Sequence, residues 1–350
     1  MKILYVKPSD STFVRIDQEI LEKHYPLEVF RVDFGSQWLL LKSLVRLAFF
    51  MLWNRRRFNL VYTRFADYHS GMLSLLCRLL GKELLVVIGG YDVYHLPEFR
   101  YGAHAGKIRG WFARTTLMKA HYLLPNSPAL VHEINHYASD PPVEAGIERF
   151  APGSKALVKV VPNGFKPGIW KAGIAGQERR TVLSVAIIDG MTTFHIKGAG
   201  YFIELARSMP EQKFVFVGMA KEFAVQHNLS IPANLELVAT LPPRDLLAIY
   251  QSARVFCIFS LTEGMPNALC EAMLCECIPV GSQVSIIPEI IGNSGYVVSR
   301  RDINDMKEAV NRALQLPDEY GRKARERILE NYSFERREKE LTELLGKIKS

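Results

Sequence analysis

Ser260–Leu274 (SLTEGMPNALCEAML) joins a predicted β-strand to a predicted α-helix. The apolar run that leads into it, VFCIFS, has the length of a buried strand, and NALCEAML has the apolar spacing of a helix. Glu263 lies before the turn and Glu271 lies inside the helix. Ligands of open α/β sheets bind where strands end, so this junction is a candidate binding site.

The turn itself has the residues of an anion site. Gly264 allows a ligand to approach the backbone closely, and Pro266 suits a first helical turn. The amides of Asn267 and Ala268 would then face the ligand at the positive end of the helix dipole, which favours a diphosphate. Glu271 lies about 7.5 Å along the helix, roughly one sugar away. Because carboxylates repel phosphate, we expect the two acids to accept hydrogen bonds from hydroxyls, as a nucleotide sugar would provide.

The chain has 350 residues, of which 48% are hydrophobic and 23% are charged, so a folded protein of about two domains is expected. Residues 1–200 contain 26 Lys and Arg against 16 Asp and Glu, whereas residues 201–350 contain 18 against 20. The net charge of +8 therefore belongs to the first half. This charge favours an anionic partner there: nucleic acid, an anionic membrane or a phosphorylated substrate.

The cysteines predict free thiols in a reducing compartment, and we expect Cys257, in an apolar strand, and Cys270, in an apolar helix, to serve as small hydrophobic residues. Their number is odd, and the apolar run at the N-terminus is too short for a secretion signal. Their spacing is not that of a zinc site, and no histidine accompanies them, so no metal site is predicted. The five are Cys77, Cys257, Cys270, Cys275 and Cys277.

Short apolar runs alternate with longer amphipathic ones through the whole chain, which is typical of βαβ units. We therefore predict an α/β fold with two Rossmann-like domains whose parallel sheets face a central cleft. The predicted boundaries are 1–165 for the N-terminal domain, 166–180 for a linker rich in glycine and charge, and 181–331 for the C-terminal domain. Residues 332–350 form a C-terminal helix.

Gln37–Trp53 is the most apolar predicted helix, and it is interrupted only by two basic residues and one serine. Two interpretations stay open. The helix either packs in the core or lies in a membrane interface, with tryptophans at the boundary and arginines on lipid phosphates. The interface candidates are Trp38, Lys42, Arg46, Trp53, Arg55, Arg56 and Arg57.

The spacing Glu263-x7-Glu271 in the context EGMPNALCEAM resembles the signature of retaining glycosyltransferases of family 4, which have the GT-B fold. The resemblance covers nearly the whole chain because further segments follow the family's order. They are VVPNG (160–164), which closes the first domain; HIKG (195–198), with the phosphate lysine; IPEIIG (287–292), after the donor site; and YSFERREKEL (332–341), the helix that crosses back to the first domain.

This resemblance implies a role for each residue of the junction. Glu263 would contact the donor sugar, with the backbone of Gly264, Met265 and Asn267 nearby, and Ala268 lies in the same turn. Glu271 would hold the ribose hydroxyls. Lys197 would neutralise the diphosphate, and it acts with Glu263 as the catalytic pair. Without the motif context, the favoured interpretation of Lys197 is an ordinary surface lysine at the start of a helix.

The implied reaction transfers a hexosyl group from a nucleoside-diphosphate sugar with retention of configuration. A nucleoside diphosphate leaves, and the departing phosphate takes the acceptor's proton. No Asp-x-Asp sequence occurs that would clamp a metal ion on a diphosphate, so we expect a metal-independent enzyme with no cofactor besides the nucleotide sugar.

Three departures from the family pattern bear on specificity. Ile187 stands where many members carry an arginine, and His195, Lys166 and Lys171 are candidates to replace that charge. The loop after the first strand lacks the family's glycine pair, and Ser11, Thr12 and Arg15 are candidates to line it.

The third departure is GGYDVY (89–94), where Gly89 stands in place of a family histidine that lies near the sugar's C6 hydroxyl. A different donor sugar would explain the change, and so would a tight turn. We expect Gly90, Tyr91 and Asp92 to lie on the acceptor side of the site.

Several functions remain open from the sequence. The leading one is a cytoplasmic glycosyltransferase of polysaccharide biosynthesis, peripheral on the inner membrane face, acting on a lipid-linked or surface-polysaccharide acceptor. The alternatives are a soluble glycosyltransferase with a small acceptor and a catalytically silent paralogue that binds a partner transferase. The Glu-x7-Glu context argues against a sugar-nucleotide epimerase, and nucleic-acid binding explains the charge but none of the motifs.

Overall fold

The computed structural model describes residues 1–173 and 179–349. The chain divides into two compact units. Unit 1 contains Met1–Ile134, Val143–Gly164 and the C-terminal stretch from Phe334, and unit 2 contains Asn135–Pro142 and Phe165–Ser333.

Apart from shifts of one or two residues at the edges, these boundaries differ from the predicted ones in two places. Residues 135–142, predicted within the N-terminal domain, belong to unit 2. The predicted linker 166–180 is built into unit 2 as far as it is described, and its residues 174–178 lie outside the described residues. Trp170 explains the second difference, because its side chain is buried and packs edge-on against Tyr250 at a centroid distance of 5.4 Å.

Fourteen strands occur in the described residues. They are β1 (Ile3–Lys7), β2 (Leu27–Arg31), β3 (Leu60–Arg64), β4 (Glu83–Ile88), β5 (Tyr122–Pro125), β6 (Glu133–Asn135), β7 (Val143–Ala145), β8 (Leu157–Val158), β9 (Thr181–Val185), β10 (Phe214–Val217), β11 (Leu235–Val238), β12 (Ala253–Ile258), β13 (Ile278–Ser282) and β14 (Tyr296–Val298).

Two six-stranded sheets contain most of these strands. The sheet of unit 1 has the order β2-β1-β3-β4-β5-β8, and the sheet of unit 2 has the order β11-β10-β9-β12-β13-β14. All strand pairs within both sheets are parallel. β6 and β7 belong to a separate two-stranded sheet. Central strands such as β4 and β10 are buried along nearly their whole length, which is why their sequences are almost entirely apolar.

Fourteen α-helices connect the strands in the described residues. They are α1 (Thr12–His24), α2 (Gln37–Trp53), α3 (Tyr68–Leu80), α4 (Lys107–Lys119), α5 (Ile147–Phe150), α6 (Met191–Ile196), α7 (Ala199–Ser208), α8 (Lys221–Gln226), α9 (Pro243–Ser252), α10 (Asn267–Leu274), α11 (Ile287–Ile291), α12 (Ile303–Gln315), α13 (Glu319–Asn331) and α14 (Phe334–Lys349). Because each sheet strand is followed by a crossover, its neighbours run parallel, as the alternating pattern predicts.

The helices of unit 1 form two layers around the sheet. The buried residues of α2, α3 and α4 share one hydrophobic cluster, which includes Leu47, Leu73 and Leu117. Those of α1 and α14 share another, which includes Leu21 and Leu345. The end of the chain therefore packs on unit 1, as predicted for the C-terminal helix.

A buried ionic group fixes α14 to unit 1. Asp17 accepts from the Nε of Arg337 at 2.7 Å and from the hydroxyl of Tyr62 at 2.7 Å, and Arg64 lies 3.3 Å away. Arg337 also donates to the carbonyl oxygens of residues 161 and 162. Burial opposes ionisation of Asp17, but the two arginines outweigh it and hold its pKa below the usual range.

The five cysteines are all buried and unpaired. Burial raises the pKa of their thiols, and that of Cys77 rises to about 12. The prediction that Cys257 and Cys270 serve as small hydrophobic residues is therefore confirmed.

Candidate active site in unit 2

The candidate site lies at the point where the strand order of unit 2 reverses. From β9 the chain proceeds outward to β10 and β11, and from β12 it proceeds in the opposite direction to β13 and β14. Loops that leave β9 and β12 therefore diverge, and a cleft of about 350 Å³ opens between them. Such a switch point is the usual ligand site of an open α/β sheet.

The cleft collects most of the predicted donor residues. Gly264 is buried in the turn and is not among the residues that line it. The predicted residues that do line it are Lys197, Glu263, Met265, Asn267, Ala268 and Glu271.

Lys197 and Glu263 form an ion pair in the cleft. The Nζ of Lys197 lies 2.7 Å from Oε1 of Glu263, and the hydroxyl of Ser260 donates to the same oxygen at 2.7 Å. The side chain of Lys197 is 28% exposed and that of Glu263 is 9% exposed. A diphosphate entering the cleft would compete for the ammonium group and release Glu263 toward another donor.

The position of Lys197 follows from the glycine after it. Lys197 lies between α6 and α7, and Gly198 has a left-handed φ of 65°. A Cβ at position 198 would lie 2.2 Å from the carbonyl oxygen of Phe259, so no side chain fits there. The amide of Leu261 donates to the carbonyl of Ile196 at 2.8 Å. The HIKG segment therefore packs directly on the loop that carries Glu263, and a backbone hydrogen bond joins the two.

Glu271 lies behind the ion pair and has one protein partner in the described contacts. The hydroxyl of Tyr250 donates to its Oε2 at 3.3 Å. Burial raises the pKa of Glu271 to about 8, so the carboxyl group holds a proton near neutrality. Hydroxyl donors from a ligand would stabilise its ionised form and lower this pKa.

Tyr250 is a site residue that the sequence alone did not reveal. It lies on α9, in a helix without a motif, and its side chain is completely buried. The only sequence signal was indirect, since a buried acid on α10 requires a hydrogen-bond donor from some other element.

The first turn of α10 closes the other side of the cleft. The helix begins at Asn267, and Pro266 is its N-cap residue. Pro266 therefore directly precedes the first helical turn, in which it was predicted to lie. Amides in a first helical turn have no carbonyl partner within their helix, and the dipole places partial positive charge there. Lys197 and this helix end therefore both favour an anion in the cleft.

Ile187 also lines the cleft and is 64% exposed. Within the described part of the chain, Lys197 is the one Lys or Arg among the lining residues. The three candidates for a second charge, Lys166, Lys171 and His195, do not line it. Their substitution for the missing arginine stays a prediction.

The predicted acceptor residues lie in unit 1, after β4. The carboxylate of Asp92 is buried and accepts from the amides of Ala66 at 3.0 Å, Gly89 at 3.1 Å and Gly90 at 2.8 Å. Burial raises the pKa of Asp92, although these amides oppose the rise. Asp92 therefore holds the loop in place, and an acceptor contact stays a prediction. Tyr91 is half-buried, and its hydroxyl accepts from Arg109 at 3.0 Å.

Gly89 has a structural explanation. A Cβ at this position would lie 2.3 Å from the ring of Phe65. A histidine therefore does not fit at position 89 while the Phe65 ring keeps its place. Phe65 itself has a φ of 69°, which is unusual for an aromatic residue.

The most apolar helix, α2, coincides with its predicted bounds and shows features of both interpretations. One side packs in the core through Leu47 and Met51. The opposite side exposes large apolar side chains, and Trp53 is 92% exposed. Among the described residues, no helix is both long enough and apolar enough to cross a membrane.

Part of the chain is similar to known sequences. Residues 184–332 match the family model "Glycosyl transferases group 1". One component of the phosphatidylinositol N-acetylglucosaminyltransferase of Arabidopsis thaliana is 23% identical over 173 residues, which are 47% of this chain and 38% of that protein. The matched region thus spans less than half the length of this curated relative.

Solved structures resemble nearly the whole chain. Sucrose-phosphate synthase from Thermosynechococcus elongatus superposes with a TM-score of 0.73 at 14% identity, over 99% of both chains. HepE of Anabaena, in complex with UDP and glucose, superposes with a TM-score of 0.70 at 15% identity, over 99% of this chain and 100% of that chain. The fold is therefore the α/β fold of GT-B glycosyltransferases, with two parallel sheets.

Proposed function

We propose that this protein is a retaining glycosyltransferase, independent of metal ions, that uses a nucleoside-diphosphate sugar. The observation that carries the proposal is the Lys197–Glu263 pair beside the first turn of α10, at the switch point of the sheet. The match of residues 184–332 to group 1 glycosyl transferases supports it.

In this proposal the donor spans the cleft. Lys197 and the amides of the first turn of α10 neutralise the diphosphate, because a compact ammonium group and a helix N-terminus both bind phosphate groups well. Glu263 accepts hydrogen bonds from the sugar, and Glu271 accepts them from the ribose. UDP is the first nucleotide to test, because the HepE structure contains it.

The reaction breaks the bond between the sugar's anomeric carbon and the diphosphate oxygen. The acceptor oxygen bonds to the same face of that carbon, and its proton passes to the departing phosphate. Lys197 acts by stabilising the negative charge that grows on the diphosphate as the bond breaks. One such donor lowers the activation free energy by about 3 kcal/mol in comparable sites.

The reaction test is a donor screen that measures nucleoside-diphosphate release from UDP-, GDP-, ADP- and dTDP-sugars with a membrane lipid extract as acceptor source. We expect release with at least one donor and a loss of about 100-fold in Lys197→Met. Lys221→Met, an exposed lysine of α8, is the matched control and should keep full activity. A wild type that binds a nucleotide without turnover would favour the silent paralogue. The presence of only one Lys or Arg among the described lining residues also favours it.

We further propose that the acceptor is lipid-linked or part of a surface polysaccharide and that unit 1 binds an anionic membrane. The Arabidopsis relative is named for a phosphatidylinositol substrate, which is consistent with a lipid acceptor. The stronger support comes from the outer side of the α2, α3 and α4 layer.

This outer side is apolar and basic. None of the three helices contains an aspartate or glutamate. Large apolar side chains are exposed on all three: Trp38, Phe49 and Trp53 on α2, Leu75 and Leu79 on α3, and Ile108 and Trp111 on α4. Exposed basic residues lie on or beside two of these helices, namely Lys42 and Arg46 on α2, Arg55, Arg56 and Arg57 directly after it, and Lys107 and Arg114 on α4. Exposed apolar side chains together with basic residues are typical of a surface that binds an anionic membrane.

Co-sedimentation with vesicles tests the membrane proposal. We expect binding to phosphatidylglycerol–phosphatidylcholine vesicles and much weaker binding to phosphatidylcholine alone. Replacing Arg55, Arg56 and Arg57 by glutamine should weaken binding about 100-fold, since each cation contributes about 1 kcal/mol near such a surface. Val225→Ser is the control in unit 2: it removes an apolar side chain that is about as exposed as Trp38 or Phe49, and it should not change vesicle binding. Equal binding of the triple variant and the wild type would favour the enzyme with a small soluble acceptor.

A further inference from the structure

The segment Asn135–Pro142 belongs to unit 2, although the residues on both sides of it in the sequence belong to unit 1. Its first residue, Asn135, is buried. The Nδ2 of Asn135 donates to the carbonyl oxygen of Leu261 at 2.8 Å. Leu261 lies two residues before Glu263, so this segment touches the loop of the candidate site.

The orientation of the Asn135 amide is fixed within its own segment. Its Oδ1 accepts from the backbone amide of Ala138 at 2.9 Å. With Oδ1 in this bond, Nδ2 faces the carbonyl of Leu261. A flipped amide would place two donors face to face at Ala138 and two acceptors face to face at Leu261. Asn135 therefore acts as a directed donor toward the loop.

The Leu261 peptide joins the two chain segments that carry the ion pair. Its amide donates to the carbonyl of Ile196, directly before Lys197, at 2.8 Å. Its carbonyl accepts from Asn135. The preceding carbonyl, of Ser260, accepts from the hydroxyl of Ser282 at 2.7 Å. The loop is thus held at successive peptide groups before it reaches Glu263.

We infer that Asn135 is a positioning residue that keeps Lys197 and Glu263 in register by fixing the Leu261 peptide. Asn135 is not among the residues that line the cleft. Its consequence for donor binding rests on the proposed function, whereas its effect on the two chain segments does not depend on any ligand.

Asn135→Asp is the variant that isolates the contact. The aspartate keeps an oxygen to accept from Ala138, but it presents an oxygen to the Leu261 carbonyl instead of a donor. Asn234→Asp is the matched control in the same unit. The Nδ2 of Asn234 donates to the carbonyls of Ala206, Met209 and Gln212 at 2.9 Å each, and none of these residues lines the cleft.

Amide hydrogen exchange of the ligand-free protein is the first measurement. In Asn135→Asp we expect exchange to rise about tenfold in peptides covering residues 194–200 and 259–265, as for loss of one buried hydrogen bond. In Asn234→Asp the rise should be confined to peptides around residues 206–213 and 234. Unchanged exchange at 194–200 in Asn135→Asp would overturn the inference. If Asn135→Asp does not fold, Asn135→Ser serves for the same comparison.

Binding of UDP and UDP-glucose is the second measurement. We expect Asn135→Asp to weaken UDP-glucose binding about tenfold, while Asn234→Asp keeps wild-type affinity despite a lower melting temperature. In a Lys197→Met, Glu263→Gln background, Asn135→Asp should have no further effect, because it acts through that pair. An equal loss in both backgrounds would overturn the inference. Absence of nucleotide binding by the wild type would count against the proposed function, and the exchange result would still decide the role of Asn135.

Discussion

Two ionic groups, the buried Asp17 group of unit 1 and the Lys197–Glu263 pair of unit 2, use the same chemistry for different ends. In unit 1, Asp17 is sealed between Arg64 and Arg337, and both arginines are about 1% exposed. In unit 2, Lys197 pairs with Glu263 at the edge of a cleft and is 28% exposed. A sealed group has all its partners inside the protein, so it stabilises one arrangement. An open pair can exchange a protein partner for a ligand, so it is suited to binding.

The largest expected effect comes from breaking the sealed group. Arg337→Met leaves the Asp17 carboxylate buried without its main partner, and we expect it to lower the free energy of unfolding by about 3–5 kcal/mol. Urea denaturation measures the loss. Arg312→Met breaks an exposed pair with Glu308 and should change stability by less than about 0.5 kcal/mol. Similar values for the two variants would contradict the contrast between sealed and exposed groups.

Lys197→Met sharpens the same contrast, because its pair with Glu263 is open to solvent. We expect a change of less than about 1 kcal/mol in the free energy of unfolding, with a large loss of ligand binding. Urea denaturation of this variant beside Arg337→Met checks the expectation. A destabilisation as large as that of Arg337→Met would mean that the open pair is structural.

The buried Glu271 predicts a dependence of stability on pH. Its pKa is about 8 in the folded protein against an ordinary value of 4.5, so the folded state holds a proton that the unfolded chain has released. This contribution is complete below pH 4.5 and is lost as pH rises through 8. As pH rises from about 6 to 8, the free energy of unfolding of the wild type should fall by about 2 kcal/mol relative to that of Glu271→Gln, because glutamine has no proton to lose. Parallel stability curves for the two proteins would show that Glu271 is ionised throughout.

The glycine at position 89 predicts a smaller effect. Gly89→Ala places a methyl group against the ring of Phe65, and we expect it to cost about 1.5 kcal/mol of stability. Gly168→Ala is the control because a Cβ there meets no neighbouring atom, and it should cost less than about 0.5 kcal/mol. Thermal unfolding compares the two. Equal costs would remove the structural explanation for Gly89.

Much of the fold was predictable because local patterns determine it. Helix α2 coincides with its predicted bounds, since a long and nearly unbroken run of apolar residues defines it. The linker was placed differently because its glycines and charges hid Trp170, whose burial depends on Tyr250 far along the chain. Contacts of this kind leave no periodic signal.

The candidate site divides in the same way. Lys197, Glu263 and Glu271 were predictable because they lie in motifs at strand ends and helix starts. Tyr250 and Asn135 were not, since each reaches the site by a single hydrogen bond from an element without a motif. Asp92 shows the opposite case, in which a motif residue uses its carboxylate on the backbone of its own loop.

Calorimetric titration of the wild type, Lys197→Met and Lys221→Met with UDP, GDP, ADP and dTDP tests the assignment of the cleft most directly. We predict that at least one nucleoside diphosphate binds, that Lys197→Met weakens it by about tenfold or more, and that Lys221→Met binds it like the wild type. Equal affinity in all three proteins, or no binding of any of the four, would contradict the assignment of this cleft to a nucleoside diphosphate.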